Sequence, residues 1–388
     1  MSESTPRTIS RRRVLVAAVG AGAAAIVSAG LWPWLRRALV PDLAAELIER
    51  NAWPEHWETT LAGLDHGAIT TNDRFFVRSH FPVPEVDPAS YRLAIAGLVR
   101  NPLSFDLAAL RAEPQQSTTC TLECAGNGRG LMPLANTSGT QWEYGAVGTA
   151  RWSGVPLRAL LEQVGVDPAA RHVWFEAADH ATLPQTPRFL RSIPLEVANE
   201  RVLLALSMNG APLPARHGAP LRAVVPGWYG MSSAKWVTRI RLEATPSDNH
   251  FMAKGYRYVA PGGDPLLSPP VEAMRVKSLI TSPREGDALR GGVIEVAGFA
   301  WSGAGGVRRV DVSTDEGLTW QEARLAAVEG PFAWQRFTAS IPAPARGSVT
   351  LWARATDVAG ETQPLAAAVN SGGYGNNSVH RVRVVTHA

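Results

Sequence analysis

The segment TTCTLECAGNGRG, residues 118–130, holds the densest set of side chains that could do chemistry. A strand-like lead runs into a glycine-rich turn that contains Cys124, Asn127 and Arg129. Closely spaced glycines let the backbone approach a ligand and leave N–H groups free to bind an anion. Arg129 adds a positive charge that is not lost at ordinary pH. The turn therefore favours an anionic ligand, with a thiol directly beside it.

The two cysteines of the chain, Cys120 and Cys124, are too few for a disulfide framework. Their separation fits neither a haem attachment motif nor paired zinc knuckles. The ordinary interpretation of such a cysteine is a small buried hydrophobic residue. The neighbours of Cys124 change that interpretation.

The cysteine segment is similar to the cysteine motif of sulfite oxidases, in which the thiolate of a Cys-Ala-Gly-Asn sequence binds molybdenum. The resemblance implies that Cys124 is the metal ligand and that the cofactor is Mo-molybdopterin. A thiolate is a soft donor suited to a high-valent metal, and a positive neighbour such as Arg129 favours loss of its proton.

Two other segments resemble family patterns near the substrate. In NDRFFVRSHFPVP, residues 72–84, the resemblance implies that Arg78 faces the substrate anion and that His80 contacts the pterin. Taken singly, a surface salt bridge and a core histidine are the ordinary interpretations. Trp142, followed by GAVGTARW at residues 145–152, matches the family's tryptophan and strand pattern, which implies that it forms a wall of the pocket. Most tryptophans simply fill cores.

Residues 215–237 resemble the cofactor-binding segment of the family. The resemblance implies contacts with the pterin and its phosphate from His217, Arg222, Ser232 and Lys235. Basic and hydroxyl groups suit a phosphate. Residues 230–234, GMSSA, nearly form a nucleophile elbow, but the last position is alanine and no acid and histidine partner the serine. A hydrolase is therefore disfavoured.

Residues 250–257, HFMAKGYR, align without a gap with the family segment whose tyrosine hydroxyl reaches the metal centre. The resemblance makes Tyr256 the catalytic tyrosine. Tyr258 is the alternative, because residues two apart on an extended chain share a face.

The chain of 388 residues is too long for one ordinary core, and its patterns predict an α+β fold in two domains. Residues 71–265 mix short strands with helical pieces and predict a mixed α+β molybdopterin-binding domain. A run rich in proline and glycine, residues 259–271, marks the boundary. Residues 266–388 show strand-like segments at short intervals, typical of a β-sandwich. The resemblance makes this an immunoglobulin-like domain that pairs two subunits.

Residues 1–35 have the order of an export leader, with arginines before an uncharged run from residue 14 to residue 35. We interpret it as a twin-arginine signal, because that route carries proteins already folded around a cofactor. A membrane anchor that stays uncut is the alternative. Residues 36–70 form a linker, and the enzyme is expected outside the cytoplasm, in the periplasm.

The positive charge is concentrated in the leader. Residues 1–40 carry six arginines and one glutamate, a net +5, so the chain's +4 leaves −1 for the rest. No broad basic face remains to bind phosphates of a nucleic acid, which excludes that partner. The whole chain has 45% hydrophobic and 19% charged residues, which is typical of a globular protein.

The resemblance covers residues 70–388 and implies oxidation of sulfite to sulfate by oxygen-atom transfer. Arg78 and Arg129 would hold the small oxyanion, and Tyr256 would stabilise the transferred oxygen. No haem attachment motif occurs, so the electron acceptor is expected to be a separate protein such as a cytochrome c. The C-terminal domain is expected to form a homodimer.

One departure concerns the substrate. Where animal sulfite oxidases send an arginine from the C-terminal domain into the pocket, this chain has Gly372. An alternative is therefore a sulfane dehydrogenase-like enzyme that oxidises sulfur carried on a partner protein. A non-catalytic exported binding module, with an adhesive sandwich and a phosphate-binding loop, is the alternative from another class.

Overall fold

The computed structural model describes residues 46–134, 137–183 and 185–388. Within them, Leu47–Ala388 form one compact unit. The export leader predicted at residues 1–35 lies outside the described residues and stays a prediction. In the described part of the chain, no helix has the length and apolar character needed to cross a membrane.

The described chain is built mostly of strands, and its helices are few and short. The helices are α1 (Leu61–Leu64), α2 (Leu107–Ala112), α3 (Leu157–Val164), α4 (Leu195–Arg201) and α5 (His250–Ala253). The strands are β1 (Leu47–Asn51), β2 (His56–Thr59), β3 (Val77–Arg78), β4 (Leu93–Gly97), β5 (Leu103–Phe105), β6 (Gln116–Glu123), β7 (Val147–Pro156), β8 (His172–Ala177), β9 (Leu190–Pro194), β10 (Leu203–Met208), β11 (Ala211–Pro212), β12 (Arg222–Val224), β13 (Val237–Glu243), β14 (Lys277–Ser282), β15 (Ala288–Arg290), β16 (Gly292–Trp301), β17 (Val307–Ser313), β18 (Gln321–Glu322), β19 (Arg324–Leu325), β20 (Gln335–Ala343), β21 (Gly347–Asp357) and β22 (His380–His387). The predicted mixture of helix and strand is thus weighted strongly toward strand.

The first part of the chain contains two larger sheets and a small one. One sheet has the order β11-β10-β7-β6 with β12 beside β10, another has the order β5-β4-β13-β8-β9, and β1-β2-β3 form the small sheet. Helix α3 packs its apolar stripe, with leucines and valine at a helical spacing, into the core that these sheets share. This layered core gives the site a rigid support.

Strand β6 leads directly to the predicted metal ligand. It pairs antiparallel with β7, with Cys120 opposite Ala150 and Glu123 opposite Val147. Cys120 and Leu122 are fully buried, and β6 is an edge strand of its sheet. The ladder ends at Glu123, so the glycine-rich turn begins at a fixed place.

The C-terminal part contains two sheets that share one apolar layer. Their orders are β14-β16-β20-β19 and β15-β22-β21-β17-β18. Strand β22 alternates buried and exposed residues along its whole length, as a strand with one buried face does. Phe337 of the first sheet and Val382 of the second belong to the same core cluster. The strand-rich character predicted for residues 266–388 follows from this alternation.

The two parts of the chain are packed tightly together. Trp334 donates from its indole N–H to the carbonyl of Ala68 (2.7 Å), and its backbone N–H donates to the hydroxyl of Thr121 (2.7 Å). A buried cluster joins Leu64 and Tyr256 to Trp301. Residues on both sides of the predicted boundary at 259–271 therefore build one compact body, and that boundary stays a prediction.

Candidate active site

A cavity opens between the end of β3, the turn after β6 and the segment around β12. Its empty space, including the part open to solvent, is about 690 Å³, within the range of small-molecule sites. Seven of the predicted site residues line it: Arg78, His80, Cys124, His217, Arg222, Lys235 and Tyr256. The structure thus brings together residues separated by up to 178 positions in the chain, from Arg78 to Tyr256.

Cys124 is held at the cavity wall by the turn that follows β6. Its backbone N–H donates to Ala146 O (2.8 Å), and Asn127 N–H donates back to Cys124 O (2.8 Å). The Asn127 side chain donates to Glu123 Oε1 (3.0 Å) and accepts from Ala146 N (3.1 Å). The thiol is free of disulfide bonds and partly exposed. The asparagine of the motif therefore fixes the direction of the cysteine side chain.

Positive groups outnumber negative ones around the cavity. Arg78, Arg216, Arg222 and Lys235 line it, and among the residues that the structure describes Asp179 is the only acidic one in the lining. Burial lowers the pKa of Arg222 to about 10 and lowers the pKa of Lys235 well below its ordinary value. The loss of solvation is not offset by carboxylates, so an anionic ligand would stabilise these cations.

Several buried polar atoms beside the cavity lack a hydrogen-bond partner. Among them are Arg78 Nη1, Arg222 Nε and Ser232 Oγ, together with one acceptor, Asp179 Oδ1. A buried donor left unsatisfied is unfavourable, and native structures rarely keep one without a reason. Guanidinium and hydroxyl donors suit phosphate oxygens. The donor set therefore fits a cofactor that carries a phosphate.

His217 and Lys235, which belong to the same segment as Arg222, are held by hydrogen bonds to other protein atoms. His217 is at the end of a short 3₁₀ helix, and its Nε2 donates to Asn72 O (3.0 Å). Burial, followed by the nearby Arg222, lowers the pKa of His217 to about 3, so the ring is neutral. Lys235 donates to Ser79 Oγ (2.6 Å) and to Arg216 O (3.0 Å). Its ammonium is oriented before any ligand binds.

Tyr256 and His80 form a hydrogen-bonded pair in the cavity. The Tyr256 hydroxyl lies 2.7 Å from His80 Nε2, and the imidazole stacks on Phe189 with 3.9 Å between ring centroids. Burial lowers the pKa of His80 well below its ordinary value, and burial raises the pKa of Tyr256. The pair is therefore a neutral imidazole and a protonated phenol at neutral pH.

The backbone at Tyr256 has φ +54°, a conformation that non-glycine residues rarely adopt. Strain of this kind persists where the surroundings enforce it, and it is common at functional sites. It also breaks the extended run, so Tyr258 does not share the face of Tyr256. The Tyr258 ring lies under the Arg275 guanidinium (4.2 Å), away from the cavity lining. Tyr256 is the tyrosine that faces the site.

Arg129 is not brought into the cavity, contrary to the prediction that it binds the substrate. Its Nε donates to Gly372 O (2.8 Å), its Nη1 donates to Thr140 O (2.9 Å), and its guanidinium lies over the Tyr374 ring (5.1 Å). These backbone carbonyls hold the guanidinium. Tyr374 in turn stacks on Tyr256 with 5.2 Å between centroids. Arg129 therefore supports Tyr256 indirectly.

Trp142 and Ser232 also lie outside the cavity lining. Trp142 is fully buried in the core cluster that contains Phe75, and Cys124 packs against this cluster. Trp142 therefore supports the site from within the core. Ser232 is fully buried next to Ser233, which does line the cavity and accepts from Val225 N (3.0 Å). Neighbouring serines could not be told apart from the motif alone.

Gly372 and Tyr374 are linked sterically. A Cβ atom at position 372 would overlap the Tyr374 ring. The glycine thus makes room for an aromatic side chain at the position where, by the resemblance, animal sulfite oxidases have an arginine.

Asp179 and Arg191 belong to the site but were missed in the sequence. Asp179 lines the cavity with one carboxylate oxygen unpartnered, and burial raises its pKa to about 6. Arg191 is buried over the Tyr256 ring (5.3 Å), and its Nη1 donates to the Phe251 carbonyl. Asp179 follows the end of β8, a position that could have flagged it. No local signal marks Arg191.

Comparison with known proteins gives matches along most of the chain. Residues 80–251 match the family described as the oxidoreductase molybdopterin binding domain, and residues 268–387 match the Mo-co oxidoreductase dimerisation domain. Mitochondrial sulfite oxidase of Mus musculus is 38% identical over 342 residues, covering 83% of this chain and 62% of that protein. Sulfite oxidase of Arabidopsis thaliana is 34% identical over 365 residues, covering 85% and 91%.

Among solved structures, the sulfane dehydrogenase SoxCD from Paracoccus pantotrophus is similar along most of the chain. It is 32% identical with a TM-score of 0.76, and the match covers 87% of each chain. Together with the thiol and cations gathered at one cavity, these matches define a molybdopterin-dependent oxidoreductase with Mo-molybdopterin as its cofactor. The chain belongs to the sulfite oxidase family, as its motifs predicted. It spans about 62% of the length of the mouse protein.

The raised pKa of Asp179 predicts a pH dependence of stability in the cofactor-free protein. Because the folded state prefers the protonated carboxyl, stability falls as pH rises from about 4 to about 6 and then stays level. Asp179→Asn should remove this loss. The free energy of unfolding of the variant, relative to that of the parent protein, should therefore be up to about 3 kcal/mol higher at pH 7 than at pH 4. Urea unfolding at a series of pH values measures it.

Asp315→Asn is the control of opposite sign. Hydrogen bonds from Thr319 lower the pKa of Asp315 to about 2, so its contribution is present above about pH 4 and is lost toward pH 2. An Asp179→Asn profile parallel to that of the parent protein would contradict the prediction.

Proposed function

We propose that this protein oxidises sulfite to sulfate by oxygen-atom transfer at a molybdenum centre held by the pterin and by the Cys124 thiolate. One observation carries the proposal: Cys124 lines the same cavity as Arg78 and Tyr256. A soft thiolate donor, an anion-binding guanidinium and a protonated phenol are the groups that such a reaction needs. The sulfite oxidases of mouse and Arabidopsis support the choice of substrate.

The cofactor would be held by the cationic side of the cavity. Arg222 and Lys235, which line the cavity, would bind its phosphate, and the buried, unpartnered hydroxyl of Ser232 is a further donor. Neutral His217 and the unpartnered oxygen of Asp179 are the polar groups available to the pterin. When bound, the molybdenum supplies the two-electron redox chemistry and the transferred oxygen.

The substrate would be held and oriented by the protein. Arg78 keeps one buried guanidinium nitrogen free of protein partners and can donate to the anion. Tyr256 can donate its hydroxyl hydrogen to a substrate oxygen, which requires the His80 tautomer with the proton on Nε2. His80 then donates to the phenol oxygen and fixes its direction. Preorganised donors of this kind act mainly in the transition state.

A second candidate substrate is sulfane sulfur carried on a partner protein. The Arg129 guanidinium is bound to backbone carbonyls and position 372 carries no side chain, so of the two arginines predicted to hold the substrate only Arg78 lines the cavity. A pocket with less positive charge suits a substrate with less negative charge than sulfite. Similarity to the sulfane dehydrogenase SoxCD supports this alternative.

We further propose the cellular context that the sequence implies. Residues 1–35 would export the folded protein to the periplasm, an immunoglobulin-like C-terminal domain would pair two chains, and an external cytochrome c would accept the electrons. The match of residues 268–387 to a dimerisation domain supports the homodimer. The non-catalytic binding module finds no support, since the chain belongs to a family of oxidoreductases.

Metal analysis combined with a substrate screen tests the proposal. The purified protein should contain about one molybdenum per chain and should reduce cytochrome c when sulfite is added. Reduction by a protein-bound sulfane but not by sulfite would select the second candidate. Turnover with a dye and none with cytochrome c would remove that acceptor. Protein free of molybdenum after expression with cofactor supply would overturn both substrates.

Cys124→Ser should lose nearly all sulfite oxidation while the protein still folds, because pterin contacts hold most of the cofactor. Activity, molybdenum content and thermal unfolding measure the three parts of this prediction. Cys120→Ala is the matched control, since Cys120 is fully buried on β6, the strand that leads to Cys124, but does not line the cavity. Full activity of Cys124→Ser would refute the assigned ligand.

Tyr256→Phe should lower kcat on the order of 100-fold with a smaller change in KM, because the hydroxyl acts mainly in the transition state. Steady-state kinetics with sulfite measures both constants. Tyr258→Phe is the control: it removes a hydroxyl that lies outside the cavity, two residues along the chain, and should leave kcat and KM nearly unchanged. Equal effects of the two substitutions would argue against the role of Tyr256.

A further inference from the structure

A buried ion pair lies directly behind the predicted metal ligand. Lys277 Nζ is 2.9 Å from Glu123 Oε1, and both side chains are almost fully buried. Glu123 is the last residue of β6 and precedes Cys124, whereas Lys277 is the first residue of β14 in the C-terminal part. The pair therefore joins the ligand's own strand to a strand 154 positions away.

The pair also binds the backbone and side chains around the cysteine. We call residues 124–130 the cysteine turn. Lys277 Nζ reaches Asn127 O (3.5 Å) within this turn. Glu123 accepts from Asn127 Nδ2 (3.0 Å) with one oxygen and from Trp301 Nε1 (3.0 Å) with the other. The contacts of the two charged groups thus hold either the cysteine turn, through Asn127, or the end of β6, through Glu123.

Further contacts from the C-terminal part hold the rest of the cysteine turn. Gly375 N–H donates to Ala125 O (2.8 Å), and Asn376 Nδ2 donates to Gly128 O (2.8 Å). Arg129 Nε donates outward to Gly372 O (2.8 Å). The turn is therefore held from the C-terminal side at Ala125, Asn127, Gly128 and Arg129.

We propose that Lys277, paired with Glu123, is a positioning residue that sets the place of the Cys124 sulfur at the cavity wall. A buried ion pair is a poor source of stability, because well-packed apolar residues often replace it without loss. A charged pair does offer directed contacts to fixed atoms, which apolar packing lacks. Here those atoms belong to Asn127, whose own hydrogen bonds fix Cys124.

The same geometry has a plain structural interpretation, in which the pair only joins the two parts of the chain. The interpretations differ in what happens when both charges are removed. Loss of Lys277 alone leaves an unpaired buried carboxylate and destabilises the fold under either interpretation. Loss of both charges relieves that penalty, so stability recovers, but the ammonium contact with Asn127 O is not restored.

The test compares Lys277→Met with the double variant Glu123→Gln, Lys277→Met. The first readout is the rate at which iodoacetamide alkylates Cys124 in the full-length cofactor-free chain, with buried Cys120 as an unreactive internal reference. The second is the sulfur-to-molybdenum charge-transfer absorption of the loaded enzyme, and the third is the division of the kinetic effect between kcat and KM. Thermal unfolding is followed in parallel.

Arg336→Met provides the matched control. Arg336 pairs with Asp65 (3.1 Å) and likewise joins the C-terminal part to the first part of the chain, without contact to the cysteine turn. If joining the two parts were all that mattered, Arg336→Met and the double variant would behave alike.

The proposal expects the double variant to regain near-parental thermal stability. Its Cys124 should still be alkylated about tenfold faster, because the turn opens locally. Its charge-transfer band should be shifted and its kcat lowered on the order of 10- to 100-fold, since a ligand displaced by about 1 Å slows catalysis to that degree. Parental reactivity and absorption in the stable double variant would overturn the proposal.

The spectroscopic and kinetic readouts rest on the proposed function, whereas alkylation does not. If Cys124 does not bind the metal, Cys124→Ser keeps its activity, and the alkylation result still decides whether Lys277 positions the turn. Faster alkylation together with an unchanged absorption band would uphold the positioning of the turn and refute Cys124 as ligand. The two failures are therefore distinguishable.

Discussion

The hydrogen bonds of Asn127 are the interaction on which the geometry of the site depends. Its amide binds the carboxylate of Glu123 on one side and the backbone of Ala146 on the other. A turn rich in glycine would otherwise sample many conformations, because glycine restricts the backbone least. With the amide in place, the thiol of Cys124 lines a cavity that the cations Arg78, Arg222 and Lys235 also line. The distance between the thiol and these cations therefore depends on the hydrogen bonds of the Asn127 side chain.

The sequence identified most of the site because its motifs are local. Arg78 ends strand β3 and Cys124 directly follows strand β6, so a short segment determines where each side chain lies. The position of Arg129 outside the cavity lining was not visible in the sequence, because its partners, Thr140 and Gly372, lie up to 243 positions away and no motif encodes them. The choice of Tyr256 over its neighbour depended on a positive φ angle, which the residue types did not reveal.

The fold was predictable to the extent that periodicity carries it. Alternation along β22 and the spacing of apolar residues in α3 follow from elementary strand and helix geometry. The packing of the two parts on each other was not visible, because it depends on isolated long-range contacts such as that of Trp334 with Ala68. The contacts from Lys277 and Asn376 to the cysteine turn and its strand were not visible in the sequence for the same reason. A boundary rich in proline and glycine says nothing about how tightly its two sides pack.

The steric link between Gly372 and Tyr374 constrains how substrate preference can change. Because a Cβ atom at 372 would overlap the aromatic ring, a cation can be introduced there only if the Tyr374 ring gives way. Tyr374 must move or shrink first, and that change removes the ring on which Tyr256 stacks. A substitution at 372 alone leaves a side chain that overlaps Tyr374, and a substitution at 374 alone leaves Tyr256 without its stacking partner. Conversion between two charge states of this pocket is therefore a coordinated, two-residue event, and a lineage that has adopted one arrangement is expected to retain it.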